Sequence, residues 1–270
     1  MYMGTYERRG LGARTADGVT AIRLFGCLTV RSADGRQVPA SAFRTAKTRH
    51  LLRLLALGGG APVRTDRLLE QLWPDAAGGR ERASLRTATA QLRRVLGPDA
   101  VLRTETTIRL VGCWVDVVEF ESLAERALRA FAGEADTDGI PEALRAVGLY
   151  RGHLADDEPY LDPVLQARRR LRDLLGELLL ETAAAHLRAA SPGDAVALAG
   201  RVADGEPTSE RACRLLMCGY AALGEPSRAL RAFDRCRRAL AEELGASPSP
   251  ATARLHLQLL AGEPAAALVA

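Results

Sequence analysis

Arg82, Arg86, Arg93 and Arg94 fall within a stretch that carries no acidic residue from Arg82 to Gly97. At about 100° per residue they share one side of a helix with Ala90, and Thr87 lies at its edge. A solvated helix gains small stabilising pairs by interspersing charges of both signs, so a one-signed face is unusual. Arginines can grip phosphates or fork onto a guanine edge, and an alanine among them permits close approach to a major groove. The opposite side gathers Leu85, Ala88, Leu92, Val95 and Leu96, which must pack inward. Within this face Arg86, Arg93 and Thr87 are the base-reading candidates, and Arg82, Ala90 and Arg94 complete it. Lys47, Arg49, Thr104 and Thr106 are candidate backbone contacts, which position a protein on DNA without reading its sequence.

Other chemistries find no support. Lys47 is the single lysine among 37 cationic side chains, and it follows Ala46 rather than a glycine. A phosphate-binding loop of the Walker type is therefore absent. No GxSxG elbow occurs, and no GxGxxG follows a strand. The four histidines stand singly, without metal-ligand spacing. Five cysteines are scattered without a CxxC pair and read as small buried apolar residues in a reducing compartment. Asp156-Asp157-Glu158 lies in a polar stretch with nothing apolar to raise a pKa, and reads as a solvated loop. The chain is expected to be no enzyme and to need no cofactor or metal.

The elements that would position the arginine face follow from local patterns. Met1 to Thr20 lacks periodicity and reads as a loose tail. Ile22 to Val30 is rich in β-formers, and Asp34-Gly35 before Arg36–Val38 is a hairpin signal. Phe43 to Leu57 is helical and ends at Gly58-Gly59-Gly60. Thr65 can cap a second helix that Pro74 stops. Ala83 to Leu96 forms the third, ended by Gly97-Pro98. Val101 to Arg103 and Thr107 to Val111 then make two short strands around Thr104-Glu105-Thr106. A sheet, three helices and a terminal hairpin are the order of a winged helix-turn-helix domain.

Charge separates the two halves. Through Asp116 there are 19 Lys+Arg against 10 Asp+Glu, and from Val117 onward 18 against 23. A basic front half suits a polyanion. The rear half is rich in Ala, Leu, Arg and Glu, all strong helix formers. Pro192 and Pro226, Ala195 and Ala229, and His186 and Tyr220 are each separated by the tetratricopeptide period. Ser191-Pro192-Gly193-Asp194 offers an N-cap with Pro at the first helical position. Met217 stands where that repeat usually has a glycine. No apolar run is long enough to cross a membrane, and the N-terminus has no signal-peptide core.

In combination, several segments resemble the Streptomyces antibiotic regulatory protein (SARP) family. They are IRLFGCLTV from Ile22, Phe43–Leu57, Leu68–Trp73, Ala83–Gly97 and Val115–Leu123. Further on, Leu149–Gly152 with Leu154-Ala155-Asp156, and Leu240–Pro250, resemble its bacterial transcriptional activator domain. The resemblance covers about residues 20 to 261. It implies an OmpR-like winged helix joined to a tetratricopeptide-like activation domain, binding direct repeats at promoters and recruiting RNA polymerase to biosynthetic gene clusters. It also implies that Ala83–Gly97 is the recognition helix, and that the loop holding Pro74, Asp75, Gly78 and Arg80 faces polymerase or its sigma factor. The sequence departs from the family at the wing, where Thr107-Ile108 replaces a Gly-Tyr pair. It departs again in the Gly-rich loop Ala76–Gly79. It ends without the ATPase and sensor regions of larger members, which implies a short-form activator.

The expected fold class is thus an α+β N-terminal winged helix-turn-helix followed by an all-α tetratricopeptide-like repeat domain. Its divisions would be a tail over 1–20, the DNA-binding domain over 21–115, the activator domain over 116–262 and a tail over 263–270. The expected partners are double-stranded promoter DNA, RNA polymerase holoenzyme through its sigma factor, and a homodimer or cooperative copies on DNA, with no membrane. The expected location is cytoplasmic, associated with the nucleoid. The competing reading is a helical-repeat interaction scaffold without specific DNA binding. A ligand-sensing repressor ranks third, since no ligand pocket is identifiable from sequence.

Overall fold

A computed structural model describes residues 18–74, 79–133, 137–158 and 162–263. The chain forms two compact units that interleave along the sequence. The first takes residues up to Ser122 together with Gly148–Arg172, and the second takes Leu123–Val147 and everything from Asp173.

The first unit opens with a four-stranded sheet ordered β3-β2-β1-β7. Its strands are β1 (Thr20–Arg23), β2 (Thr29–Arg31), β3 (Gln37–Val38) and β7 (Cys113–Val115). β1 pairs antiparallel with β2 and parallel with β7. The Asp34-Gly35 turn forms as its sequence predicts. Gly35 has φ +84°, a conformation that strains any residue with a Cβ. Thr20 belongs to β1 rather than to a tail, because pairing with Cys113 extends the strand to it.

Three helices follow: α1 (Ala46–Leu57), α2 (Thr65–Leu72) and α3 (Arg80–Leu96). Each differs from its sequence-based boundary for a local reason. Ala40–Phe43 is a separate 3-10 turn, and α1 starts only after Thr45, whose hydroxyl accepts from the Thr48 N–H at 3.2 Å. Thr65 is the first residue of α2 and not its cap. The preceding Val63–Arg64 is an additional short strand, β4, paired with Thr107-Ile108 of the later hairpin. α3 begins three residues before Ala83, where the Glu81 carboxylate accepts from the Gly79 N–H at 3.1 Å. The hairpin strands β5 (Val101–Arg103) and β6 (Thr107–Leu110) complete a second sheet ordered β4-β6-β5. Leu51, Leu52, Leu55, Leu68, Leu72, Leu85, Leu92, Val101 and Ile108 are wholly buried, and form the core under this face.

The segment after Gly148 completes the first unit. Asp116, almost wholly buried, opens α4 (Asp116–Phe131) and accepts from the N–H groups of Leu24 at 2.8 Å, Phe25 at 3.1 Å and Val117 at 2.9 Å. Burial pushes its carboxyl above the usual range, while these three donors and Arg23 pull the other way. Phe25 meets Phe120 edge-on at 5.4 Å and Tyr150 at 4.5 Å between ring centroids. Leu154 bridges to Phe25, and the Ala155 N–H donates to the Leu24 carbonyl at 2.8 Å.

Asp157 and Glu158 correct the expectation of a solvated acidic loop. Asp157 Oδ2 lies 2.5 Å from Nη2 of Arg53, whose side chain is fully buried in the core-facing side of α1. Glu158 lies 3.0 Å from His50 Nε2 and 3.7 Å from Arg53 Nη1. A buried guanidinium requires an anion, and this loop supplies it.

The second unit is helical. α5 (Ile140–Leu149) and α6 (Asp162–Arg188) contribute to it, followed by α7 (Pro192–Gly205), α8 (Glu210–Ala222), α9 (Pro226–Leu244) and α10 (Pro250–Leu260). The repeated prolines sit at the first turns of α7 and α9, as the period requires. Ser191 precedes Pro192 but makes no side-chain cap. Its hydroxyl donates back to the Ala189 carbonyl. Cys213, Met217, Ala229, Phe233, Cys236 and Leu255 form one cluster, with Tyr220 against it. The close approach of α7 and α8 is set at Gly219, where a Cβ would stand 2.6 Å from Val196 Cγ2. The small residue of this helix pair therefore lies two positions beyond Met217.

Candidate nucleic-acid interface

α3 owes its orientation to what it buries. Leu85 and Leu92 are wholly buried, and Ala88 and Leu96 nearly so. Two polar residues lock its rotation. Thr48 donates to Gln91 Oε1 at 2.7 Å, and Gln91 Nε2 donates to the Ala42 carbonyl at 3.4 Å. A buried amide that satisfies both neighbours fixes the angle at which the outer face is presented. Sequence reading passed over Gln91, although a glutamine two positions from an arginine pair is not a distinctive signal.

That outer face is open. Arg82, Arg86, Thr87, Ala90 and Arg94 are all exposed, as are Arg80, Ala83 and Ser84. Among the described residues none of Arg80, Arg82, Arg86 and Arg94 has an ion-pair partner, so the face presents unneutralised charge. The Thr87 hydroxyl donates to the Ala83 carbonyl at 3.1 Å, which leaves its oxygen free to accept and its methyl free to touch. Arg93 stands apart. It is half-buried, and its Nε donates to the Val101 carbonyl at 2.8 Å, joining α3 to the first strand of the hairpin.

The hairpin stands beside α3. Thr104 and Thr106 are exposed at its tip. The Thr104 hydroxyl accepts from the Thr107 N–H at 3.0 Å, and the Thr106 carbonyl accepts from the Thr65 N–H at 2.8 Å. These bonds tie the tip both to itself and to the start of α2.

Lys47 and Arg49 already have partners in the fold. Lys47 Nζ donates to the Leu72 carbonyl at the C-terminus of α2 and lies 5.9 Å from the Trp73 ring centroid. A cation there suits the negative end of the helix dipole. Arg49 Nη2 lies 3.9 Å from Glu158 Oε1, and both residues are half-buried. Of the residues expected in the loop before α3, Pro74 is exposed, Arg80 is the exposed first residue of α3 itself, and Asp75 and Gly78 lie outside the described residues. Among the described residues no group of three or more His, Cys, Asp or Glu side chains could hold a metal, and no helix is long and apolar enough to cross a membrane.

Residues 115–260 match the bacterial transcriptional activator domain. The chain belongs to the bacterial transcriptional activator domain family. Its relatives are regulators of the SARP type. The regulatory protein AfsR of Streptomyces griseus is 27% identical over 250 residues, covering 91% of this chain and 25% of AfsR. The transcriptional regulatory protein MoaR1 of Mycobacterium bovis is 28% identical over 268 residues, covering 94% of this chain and 83% of MoaR1. The transcriptional regulator RedD of Streptomyces coelicolor is 28% identical over 278 residues, covering 92% and 72%. This chain thus spans about a quarter of AfsR but most of MoaR1. A solved structure of Mycobacterium tuberculosis EmbR in complex with a low-affinity phosphopeptide shares the fold, with a TM-score of 0.78 at 23% identity. The match covers 93% of this chain and 68% of that one. The winged helix-turn-helix followed by tetratricopeptide-like helices is therefore the architecture of a family of transcription regulators.

Proposed function

We propose that this family member is a sequence-specific DNA-binding transcriptional activator that places α3 in the major groove at promoter direct repeats and recruits RNA polymerase. The observation that carries the reading is the open face of Arg82, Arg86, Thr87, Ala90 and Arg94, free of anionic partners among the described residues and bordered by the β5–β6 hairpin. Arg86, central on that face, reads a base edge, with Thr87 accepting from or packing against its neighbour. Arg93 works through the hairpin it holds, and Lys47 and Arg49, half-buried against the Leu72 carbonyl and Glu158, offer a phosphate the N–H donors that those partners leave over. Thr104 and Thr106 approach the backbone from the hairpin tip. The loop from Pro74 to Arg80 faces polymerase or its sigma factor, and the regulated genes are those of a secondary-metabolite pathway. More than one copy binds in tandem, and the protein works in the cytoplasm on the nucleoid.

The test is a duplex enriched by the whole chain from a random pool, compared with a scrambled duplex at physiological salt. The reading requires a clear preference for the enriched sequence. Arg86→Ala should cost about 1–3 kcal/mol on that duplex and relax selectivity at one position. If no sequence is enriched, or if Arg86→Ala leaves affinity and selectivity as they were, the reading fails. A helical-repeat scaffold gives the former result.

A further inference from the structure

The hairpin covers only one flank of α3. Residues two apart on a helix project about 200° apart, so Gln91 and Arg93 mark opposite flanks. Arg93 is bonded to the hairpin, and Gln91 to the 3-10 turn at Ala42. On the Gln91 flank the β2–β3 turn, the 3-10 turn and the C-terminal half of α3 enclose an open cavity of about 510 Å3. Arg36, Arg44 and Arg94 all line it, together with Gln37 and Ser41. Arg44 and Arg94 are exposed and have no ion-pair partner among the described residues. Arg36 is 83% exposed and is paired with Asp34 at 2.7 Å, and none of the residues that line the cavity is acidic.

A helix in the major groove has a sugar-phosphate ridge on either side. We infer that the cavity between Arg36, Arg44 and Arg94 is a second backbone clamp, which takes the phosphodiester ridge on the flank of α3 away from the hairpin. The inference rests on the DNA-binding reading above. Three guanidinium groups against one carboxylate give the cavity a net positive charge, and the Ser41 hydroxyl and Gln37 amide are neutral donors suited to phosphate oxygens. Arg94 belongs to both surfaces, so the cavity continues the recognition face without interruption. The clamp adds affinity and register but no sequence information.

The test uses the whole chain and fluorescein-labelled enriched and scrambled duplexes over a range of salt. Arg36→Ala with Arg44→Ala should weaken both duplexes alike, by about fivefold per lost contact at physiological salt, and should shallow the slope of log affinity against log salt by about 2. The ratio between the duplexes should not change, and Arg36→Lys with Arg44→Lys should restore the slope. Tryptophan emission of the alanine variant should match that of the parent, since both side chains are exposed. An unchanged slope overturns the inference, as does a loss confined to the enriched duplex. Unchanged DNA binding with lost transcription also overturns it, and assigns the cavity to an acidic protein surface instead. Failure of the DNA-binding reading is distinct, because the parent chain would then show no preference between the duplexes.

Discussion

Loss of the carboxylate that faces Arg53 should be costly to the first unit. The Arg53 side chain is 0% exposed, its Nη2 is 2.5 Å from Asp157, and its Nε and Nη1 have no hydrogen-bond partner. Asp157→Ala would leave the guanidinium buried, with Glu158 at 3.7 Å the one anion among the described residues to offset its charge. Breaking one partner of a buried pair costs about 3–5 kcal/mol, and because Asp157 is itself 33% exposed the lower end, about 3 kcal/mol, is expected. For a unit of this size that corresponds to roughly 6–12 °C in Tm. Arg53→Met removes the charge together with its need for an anion, and it fills much of the same space. The double variant Arg53→Met with Asp157→Ala should therefore be more stable than Asp157→Ala alone. Both tryptophans, Trp73 and Trp114, belong to the first unit, so urea unfolding followed by tryptophan emission reports on it alone. If Asp157→Ala unfolds within about 0.5 kcal/mol of the parent, or if the double variant is no better than Asp157→Ala, the reasoning about a dependent buried charge is wrong.

Three further outcomes are expected. A fragment ending at Val115 loses Phe120, Tyr150, Asp157 and Glu158 from around Phe25 and Arg53, and should show neither native tryptophan emission nor duplex binding. A fragment running through Arg172 should keep both. In the second unit, burial pushes the Glu210 carboxyl up. Hydrogen bonds from Ser249 and Thr252, with the Arg214 charge, outweigh that and hold it below its usual 4.5. A lowered carboxyl contributes stability that is complete above 4.5 and is lost as pH falls through the folded value, so Glu210→Gln should flatten the acid side of the stability curve measured by circular dichroism melts. Burial pushes the Cys113 thiol up to about 11 and raises Cys213, Cys218 and Cys236 as well, whereas Cys27 is exposed. At mildly alkaline pH a thiol reagent should label Cys27 fast and the other four slowly, and Cys27→Ser should abolish the fast phase.

What could be read from residues in order was whatever depends on spacing along one element. The arginine face of α3, its apolar back, the Asp34-Gly35 turn, the hairpin after Gly97 and the period that relates Pro192 to Pro226 all follow from helical or strand geometry within a few turns of chain. The same local logic placed the starts of α1 and α3 a few residues off, because a separate 3-10 turn takes Ala40–Phe43 and the Glu81 carboxylate on the Gly79 N–H starts α3 earlier. Tertiary structure decided the rest. Arg93 reads as one more arginine on the open face until the Val101 carbonyl takes its Nε. Asp157 reads as solvated until Arg53, 104 residues earlier, arrives beside it. The parallel pairing of β1 with β7 and the Thr48–Gln91–Ala42 chain of bonds are likewise set by distant partners. Periodicity is a property of the backbone and is written into consecutive residues. Whether a charge ends in water or against an opposite charge depends on which remote segment folds over it, and only the folded chain determines that.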